Sequence, residues 1–311
     1  MKSSDSTHVA VLMGGIDQER EISLKSGENS AQALEERGYQ VTRVDAGHDL
    51  AQVLSELKPD VALNMLHGPH GEGGIVQGVL ESLSIPYTHS GVAASVVAIR
   101  KDLFRRVLAS ENLPIAPGVI VSRSEAIKNH VLPPPYIVKP IDQGSSLGVI
   151  LVDSHDYDLG PSLSDDNWVY GDMVLAEKFI PGCDLTCGIF DGKALDVMSI
   201  DTPSDCVFNY ALKYYDLQQA NRSLPALLKP FVYQSVQSIA ERVHHLVGCR
   251  GVSRVDFRFD NSREDGEVIV LEINTQPGMS NTSMLPEMGR QAGLSFSDMV
   301  DWMVRDASCN R

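Results

Sequence analysis

Short apolar runs alternate with helical patterns throughout the first 90 residues. The run at 9–13 is apolar and ends in two glycines, and a helical pattern extends from about residue 22 to 37. Two more strand-then-helix units follow, the second with a helical stretch from 71 to 83, and residues 86–88 are compatible with a further short strand. Strands separated by helices pair in parallel, so the alternation predicts a parallel sheet with helices on its faces. Ligands of such sheets bind beyond the carboxyl ends of the strands, which makes the loops after Met13 and Leu66 candidate sites.

The chain divides into three parts of the α/β class. A length of 311 residues corresponds to about two domains of ordinary size, with three within range. We predict an N-terminal α/β lobe at 1–90, a smaller α+β lobe at 91–180 and a second α+β lobe at 181–311. The last lobe contains a polar connection at about 201–224, rich in tyrosine and lysine, which is typical of a lid. It also contains a helix whose predicted apolar face consists of Phe231, Val232, Val236, Ile239, Val243, Leu246 and Val247.

Charge and cysteine content restrict the partners and the compartment. Acidic residues outnumber basic ones by 41 to 26, so the net charge of −15 disfavours nucleic acid and anionic membranes as partners. The five cysteines match no zinc-binding spacing and are expected to be unpaired thiols in a reducing compartment. No apolar stretch approaches the ~20 residues that span a bilayer. We therefore expect a soluble, cytoplasmic protein.

Three oxygen-bearing side chains fall on two neighbouring predicted strands near the C-terminus. Glu272 and Asn274 are two residues apart and so share one face of a strand, and Asp256 lies on the strand before. Hard oxygen donors without histidine or cysteine are typical of Mg²⁺ sites, with Mn²⁺ as an alternative. A solvated strand face is the competing interpretation of this pattern.

A loop of small residues at 143–148 follows Lys139 by four residues. Its backbone N–H groups could surround phosphate oxygens, with Lys139 and Lys178 as nearby cations. The P-loop pattern is absent, and an ordinary hairpin is the alternative. Arg254 lies two residues before Asp256 and could hold an anion or a developing oxyanion, or form a salt bridge with Asp256 or Glu272.

Polar residues also follow the first-lobe strands. Glu19 comes after the Gly14-Gly15 turn and His67 ends a strand, where a carboxylate and a histidine suit a small amino acid. His67 could equally be a loop histidine with its hydrogen bonds satisfied. The dinucleotide fingerprint G-x-G-x-x-G is missing, which disfavours a nicotinamide dehydrogenase and places the nucleotide elsewhere.

These motifs together resemble the D-alanine–D-alanine ligases of the ATP-grasp superfamily over almost the whole chain. The segments that carry the resemblance are AVLMGGIDQEREISLKSG at 10–27, LHGPHGEGG at 66–74, PYTHSG at 86–91, YIVKPIDQGSSLGV at 136–149, LAEKFIPG at 175–182, LKYY at 212–215, GCRGVSRVDFRFD at 248–260 and LEINTQPGMSNTSMLPEMGRQAGLSF at 271–296. The resemblance implies a three-part ATP-grasp architecture with ATP between the central and C-terminal lobes. It also implies ligation of two D-alanines through a D-alanyl phosphate for peptidoglycan precursor synthesis, and a homodimer.

The resemblance further implies a role for each matching residue. Two Mg²⁺ ions would bind Asp256, Glu272 and Asn274. ATP would contact Lys101, Lys139, Ser146, Glu177, Lys178, Phe179, Ile180, Asp184 and Lys213. The first D-alanine would meet Glu19, Ser145, Tyr214 and His67, with a chain of hydrogen bonds from Tyr214 through Ser145 to Glu19. The oxyanion hole would comprise Arg254 and the Gly278 N–H, and the second D-alanine would meet Ser283 and Met284.

Four positions depart from the family pattern: Asp184 and Met284 replace glutamate and leucine, Gly73 replaces aspartate, and Ala211 replaces glutamate. None of them is a metal ligand or a phosphate-contacting lysine, so the sequence predicts an active enzyme. The alternatives are the same catalyst making a depsipeptide or D-alanyl-D-serine, and a non-catalytic nucleotide-binding protein.

Overall fold

The computed structural model of the chain describes residues 6–201, 221–262 and 266–311. The first lobe contains a parallel three-stranded sheet of order β2-β1-β3. Its strands are β1 (His8–Met13), β2 (Gln40–Asp45) and β3 (Val61–Asn64). Its helices are α1 (Arg20–Glu35), α2 (Leu50–Leu57), α3 (Gly68–Glu72) and α4 (Ile75–Ser82). The central strand β1 is buried on both faces, as the apolar run predicts.

The middle of the chain forms an antiparallel four-stranded sheet of order β4-β7-β5-β6. Its strands are β4 (Gly118–Ser122), β5 (Tyr136–Pro140), β6 (Ile150–Val152) and β7 (Met173–Lys178). The helices of this part of the chain are α5 (Val92–Ile99), α6 (Lys101–Ser110), α7 (Arg123–Lys128) and α8 (Gly160–Leu163).

The last part forms an antiparallel five-stranded sheet of order β10-β9-β8-β11-β12. Its strands are β8 (Cys183–Phe190), β9 (Lys193–Asp201), β10 (Asn221–Ser223), β11 (Val252–Asp260) and β12 (Glu267–Asn274). Three helices complete the described residues: α9 (Pro230–Val247), α10 (Met284–Gln291) and α11 (Phe296–Asp306).

The hydrophobic cores join parts of the chain that are distant in sequence. Phe104 and Leu108 of α6 pack in one core with Val255 and Phe257 of the five-stranded sheet. Helices α5 and α6 therefore belong to the core of the last sheet, whereas the sheet of the middle lobe begins only at Gly118. At the other end, α11 packs against the first-lobe sheet. The lobe boundaries at 90 and 180 stay a prediction.

Helix α9 follows its sequence signals closely. Pro230 starts it, where the missing N–H costs nothing, and Gly248 ends it with a φ of +80°. Its buried face includes Val232, Val236 and Val243, as the periodicity predicts, but Phe231 is 51% exposed. Phe231 lies in the first turn, off the face that meets the sheet, so including it in the apolar face was wrong.

Two sequence predictions of secondary structure needed correction. The helical stretch expected from 71 to 83 is two helices, α3 and α4, because Gly74 has a φ of +98° that interrupts the helix. Residues 86–88 form no strand, and Tyr87 makes only isolated bridges, to Ala62 and to Ser308. Most of the predicted lid at 201–224 lies outside the described residues, as does Cys206, and none of the four described cysteines forms a disulfide bond. No described helix is both long and apolar enough to cross a membrane.

Buried histidines make the stability of the fold sensitive to acid. Burial lowers the pKa of His244, beside Ser253, to about 4. The unfolded chain takes up that proton at a higher pH than the folded chain, so the free energy of unfolding should fall as the pH drops from about 6.5 towards 4. His244→Asn should lower the slope of that fall by up to about 1.4 kcal/mol per pH unit. Urea unfolding at several pH values measures this slope.

The control is His48→Asn at an exposed histidine, which should leave the slope unchanged. Equal slopes in the wild type and in both variants would contradict the prediction.

Candidate active site

The polar residues of the last sheet share one face because of strand register. Arg254 pairs with Asn274 and Asp256 with Glu272 across β11 and β12. On the other side of β11, Asp256 pairs with Thr186 of β8. Residues directly opposite each other in neighbouring strands point to the same face. The three predicted oxygen donors therefore occupy adjacent positions, as the sequence alternation indicated.

Asp256 is held by two donors at once. Arg254 donates from Nε to Oδ1 at 2.8 Å and from Nη2 to Oδ2 at 2.7 Å, and Thr186 Oγ1 donates to Oδ1 at 2.6 Å. The salt bridge that the sequence left open as the alternative for Arg254 is therefore present. A two-point guanidinium–carboxylate contact fixes both side chains in direction. Arg254 itself is 7% exposed, so its orientation is determined by this contact inside the protein.

Glu272 lies close to a buried lysine that belongs to helix α6. Lys101 Nζ lies 3.7 Å from Glu272 Oε2 and donates to the Gln143 carbonyl at 2.5 Å. Lys101 begins α6, and Gln143 begins the loop of small residues. This lysine therefore joins the candidate metal strand to the candidate phosphate loop.

A cleft between the four-stranded and five-stranded sheets connects these groups. Its empty volume is about 960 Å³, including solvent at the mouth, which suits a ligand of nucleotide size. Eleven of the predicted site residues line it: Lys101, Lys139, Ser146, Glu177, Lys178, Phe179, Ile180, Asp184, Asp256, Glu272 and Met284. The rest of the lining is mostly apolar and includes Ile137, Leu147 and Leu271, together with the polar side chains of Gln143, Thr186 and Arg258.

One carboxylate in the cleft balances two cations. Glu177 forms ion pairs with Lys139, and with Arg105 Nη1 at 3.2 Å. Arg105 also donates to the Ala116 carbonyl at 2.6 Å. The Glu177 and Lys139 side chains are less than a tenth exposed, so this pair is inside the protein, and Arg105 donates a hydrogen bond to the same carboxylate.

The far end of the cleft combines an aromatic ring with a cation. Arg258 lies over the Phe179 ring at 5.5 Å and donates to the Ile180 carbonyl at 2.8 Å. It also forms an ion pair with Asp184 at 3.0 Å. Asp184 and Arg258 occupy opposite positions across β8 and β11. The shorter carboxylate at 184 is therefore engaged by an arginine of the same sheet.

The small-residue loop reaches the first lobe. Ser145 Oγ donates to Glu19 Oε1, which links a residue of the loop to the residue that precedes α1. Ser145 and Ser146 have φ values of +53° and +59°, a left-handed backbone conformation that residues other than glycine rarely adopt. Such strain persists where surrounding contacts enforce it and is concentrated at functional sites.

The two first-lobe loops lie against each other. Asp17 Oδ2 accepts from the His70 N–H at 2.9 Å, and a Cβ at Gly68 would come within 2.6 Å of Asp17. Burial alone lowers the pKa of His67, but the nearby carboxylates of Glu72 and Glu19 outweigh it and the pKa is raised. His67 Nδ1 lies 3.8 Å from Glu72 Oε1, and the buried Nε2 has no hydrogen-bond partner among the residues that the structure describes. A histidine held this way can meet an anionic group.

The predicted residues for a second substrate lie past the end of β12. Ser283 precedes α10, and its Oγ accepts from the Ser280 N–H at 3.0 Å. A Cβ at Gly278 would come within 3.0 Å of that same Oγ, so the Gly278 backbone and the Ser283 hydroxyl lie side by side. Met284 reaches the cleft. Lys213, Tyr214 and Ala211 lie outside the described residues.

Four further residues of the site were missed from the sequence. Thr186 and Arg258 could have been found, because each lies two residues from a predicted site residue on the same strand and so shares its face. Arg105 and Glu72 act through contacts across the fold that strand alternation does not reveal.

The donor set fits a hard divalent cation. Asp256 and Glu272 supply two carboxylates and Asn274 an amide oxygen, all at adjacent register positions. Among the described residues, no group of three or more His, Cys, Asp or Glu side chains could hold a metal, so the protein would contribute only part of a coordination shell. Mg²⁺ characteristically completes its shell with water and phosphate oxygens.

Two antiparallel sheets that enclose a cleft with buried lysines and clustered oxygen donors, beside a parallel-sheet lobe, define an ATP-grasp fold. A family model described as "D-ala D-ala ligase C-terminus" matches residues 107–305. The chain is 51% identical to the D-alanine–D-alanine ligase of Methylocella silvestris and 49% identical to that of Agrobacterium fabrum. These matches cover 98% of this chain and, respectively, 100% and 99% of the relatives. The chain therefore belongs to the D-alanine–D-alanine ligase family.

Solved structures agree with that assignment. The D-alanine–D-alanine ligase of Bacillus anthracis matches with a TM-score of 0.81 and 29% identity, covering 97% of each chain. A second structure of the Bacillus anthracis enzyme, complexed with ATP, matches with a TM-score of 0.79 and 25% identity, again covering 97% of each chain.

The Glu177 ion pairs should make that carboxylate important for stability. Glu177→Gln leaves Lys139 and Arg105 as neighbouring buried cations, which should lower the free energy of unfolding by about 3–5 kcal/mol. Denaturant unfolding measures it. The matched control is Asp45→Asn in the exposed pair with Arg20, which should cost less than about 1 kcal/mol. Similar small losses in both variants would contradict the prediction.

Proposed function

We propose that this protein joins two D-alanines into D-alanyl-D-alanine, for peptidoglycan precursor synthesis, with conversion of ATP to ADP and phosphate. A carboxylate oxygen of the first D-alanine attacks the γ-phosphorus, and the bond to ADP breaks. The amine of the second D-alanine then attacks the carbonyl carbon of the acyl phosphate and phosphate leaves. Phosphorylation is needed because a carboxylate has no adequate leaving group.

The cleft supports the binding of ATP. Phe179 and its apolar neighbours suit an adenine ring, and Asp184 suits the ribose hydroxyls. Lys101 and Lys139 would present buried cations to the phosphates, and Ser146 of the strained turn lines the same cleft. Preorganised charges of this kind stabilise phosphoryl transfer because they need no rearrangement during the reaction.

Asp256, Glu272 and Asn274 would hold Mg²⁺ at the phosphate end of the cleft. When bound there, the cation would neutralise the negative charge on the phosphoryl group during its transfer. A count of two ions, and Mn²⁺ as a substitute, stay predictions.

The first-lobe contacts support an amino-acid site beside the nucleotide. Glu19 would pair with the ammonium of the first D-alanine and is held by Ser145. His67, whose pKa is raised by the carboxylates of Glu72 and Glu19 despite its burial, would face the substrate carboxylate. Arg254 and the Gly278 N–H would stabilise the oxyanion during acyl transfer, and Ser283 with the Met284 backbone would hold the second carboxylate.

The observation that carries the proposal is the contact between Ser145 and Glu19. It joins the loop that borders the nucleotide cleft to the residue proposed to hold the first amino acid. A nucleotide-binding protein without an acceptor site has no need of that link.

The direct test is release of phosphate by purified protein with MgATP and D-alanine, with the product identified by mass spectrometry. Release should depend on D-alanine and yield the dipeptide, and Glu272→Gln should nearly abolish it. ATP binding without D-alanine-dependent release would instead indicate a non-catalytic nucleotide-binding protein. Mixtures with D-lactate and D-serine separate the depsipeptide and D-alanyl-D-serine alternatives.

Arg254→Ala should separate catalysis from ATP binding. If Arg254 meets charge that develops in the transition state, its loss should lower kcat about 10²–10³-fold and change the KM for ATP little. Steady-state kinetics measures both. Arg242→Ala, on the exposed side of α9, is the control. A change confined to the KM for ATP would show that Arg254 only anchors phosphate.

Several proposals rest on the family resemblance alone. Lys213 as a phosphate contact and Tyr214 as a donor to Ser145 concern residues outside the described ranges. The homodimer and the cytoplasmic location likewise stay predictions.

A further inference from the structure

Three buried carboxamides meet between the first lobe and the last sheet. Asn64 is the last residue of β3, Gln77 lies on α4 and Gln276 comes two residues after the end of β12. Their side chains are at most 1% exposed. None of the three belongs to the set of residues to which the reaction has been attributed above.

The three amides form one hydrogen-bonded cluster. Gln276 Oε1 accepts from Asn64 Nδ2 at 2.6 Å and from Gln77 Nε2 at 3.1 Å. The Gly71 carbonyl accepts from all three amides, at 3.2 Å from Asn64, 3.0 Å from Gln77 and 3.3 Å from Gln276. Buried polar groups this well satisfied specify one arrangement of the chain, because any displacement leaves several of them unpaired.

Gln276 touches the candidate site from two sides. Its Nε2 donates to the Leu66 carbonyl at 2.7 Å, immediately before His67. Its backbone N–H donates to Asn274 Oδ1 at 2.8 Å, which orients the candidate metal-ligand oxygen. One residue thus connects the loop that carries His67 to the strand end that carries Asn274, over 210 positions of sequence.

The strand register extends this connection to Arg254, which is opposite Asn274. His67 and Arg254 are close enough for the arginine to influence the pKa of the histidine. The nucleotide cleft is lined by other residues, and none of the three carboxamides contributes to it. The cluster therefore contacts the His67 loop and the end of β12, and it does not contact the nucleotide cleft.

We propose that Gln276 is a positioning residue for the first D-alanine, acting through the carboxamide cluster of Asn64, Gln77 and Gln276. The inference rests on the proposed function. The cluster holds the His67 loop at a set distance from Arg254, so that the substrate carboxylate meets both groups at once. A side chain without an amide at 276 packs in the same space but does not set that distance.

The test is Gln276→Met, which keeps the length of the side chain and removes the amide. Because Asn64 and Gln77 then lose their shared acceptor, the KM for D-alanine at the first site should rise about tenfold or more. The KM for ATP should stay within about twofold, since the cleft is unchanged. Thermal unfolding with and without ATP gives a readout that does not depend on turnover, and the shift caused by ATP should equal that of the wild type.

The matched control is Gln237→Met, because Gln237 also donates its amide to a backbone carbonyl, that of Leu195, but lies on α9 away from the site. This control variant should leave the KM for D-alanine and the KM for ATP unchanged. If Gln276→Met does not fold, Gln77→Met decides, since it keeps the bonds of Gln276 to Asn64 and Leu66. It should raise the KM for D-alanine less than tenfold but more than the control does.

Two results would overturn the inference: a lowered melting temperature with an unchanged KM for D-alanine, or equal rises in the KM values for D-alanine and ATP. Either would make the cluster a packing element only. Failure of the proposed function is distinguishable, because wild-type protein would then release no phosphate in response to D-alanine.

Discussion

The pairing of β11 with β12 is the constraint on which the rest of the site depends. It places Arg254 opposite Asn274 and Asp256 opposite Glu272, and residues of two further elements contact these four. Lys101 reaches Glu272 from α6, and Thr186 reaches Asp256 from β8. A slip of one residue in this register would turn the carboxylates to the opposite face of the sheet. The apolar residues between them, buried in the core, oppose such a slip.

The charges in the cleft are stable inside the protein because each is matched by a nearby opposite charge. Glu177 balances Lys139 and Arg105, Asp184 balances Arg258, and Asp256 balances Arg254. Removing water from such pairs is costly unless hydrogen bonds hold them in place. The energy of folding thus maintains cations where a polyphosphate would bind, which is the preorganisation that phosphoryl transfer requires.

Local patterns predicted the elements and the shared faces but not the contacts across the fold. Alternation was sufficient to place Glu272, Asn274 and Asp256 together, because a strand has a period of two residues. It did not predict that α5 and α6 pack in the core of the last sheet, or that Gly74 divides one helix into two. The Gln276 cluster also escaped it, because its partners are about 200 residues away and no periodicity relates them. Long-range packing decides such features, and a single sequence does not encode it in a local form.

In the proposed mechanism, a phosphoryl group is transferred to a carboxylate before the peptide bond forms. To test this order of steps, D-alanine labelled with ¹⁸O in its carboxylate is supplied as the substrate, and the released phosphate is analysed by mass spectrometry. We expect one labelled oxygen in each phosphate, because the oxygen that attacks the γ-phosphorus leaves with it when the amine attacks. Phosphate without label, produced alongside dipeptide, would exclude the acyl phosphate intermediate.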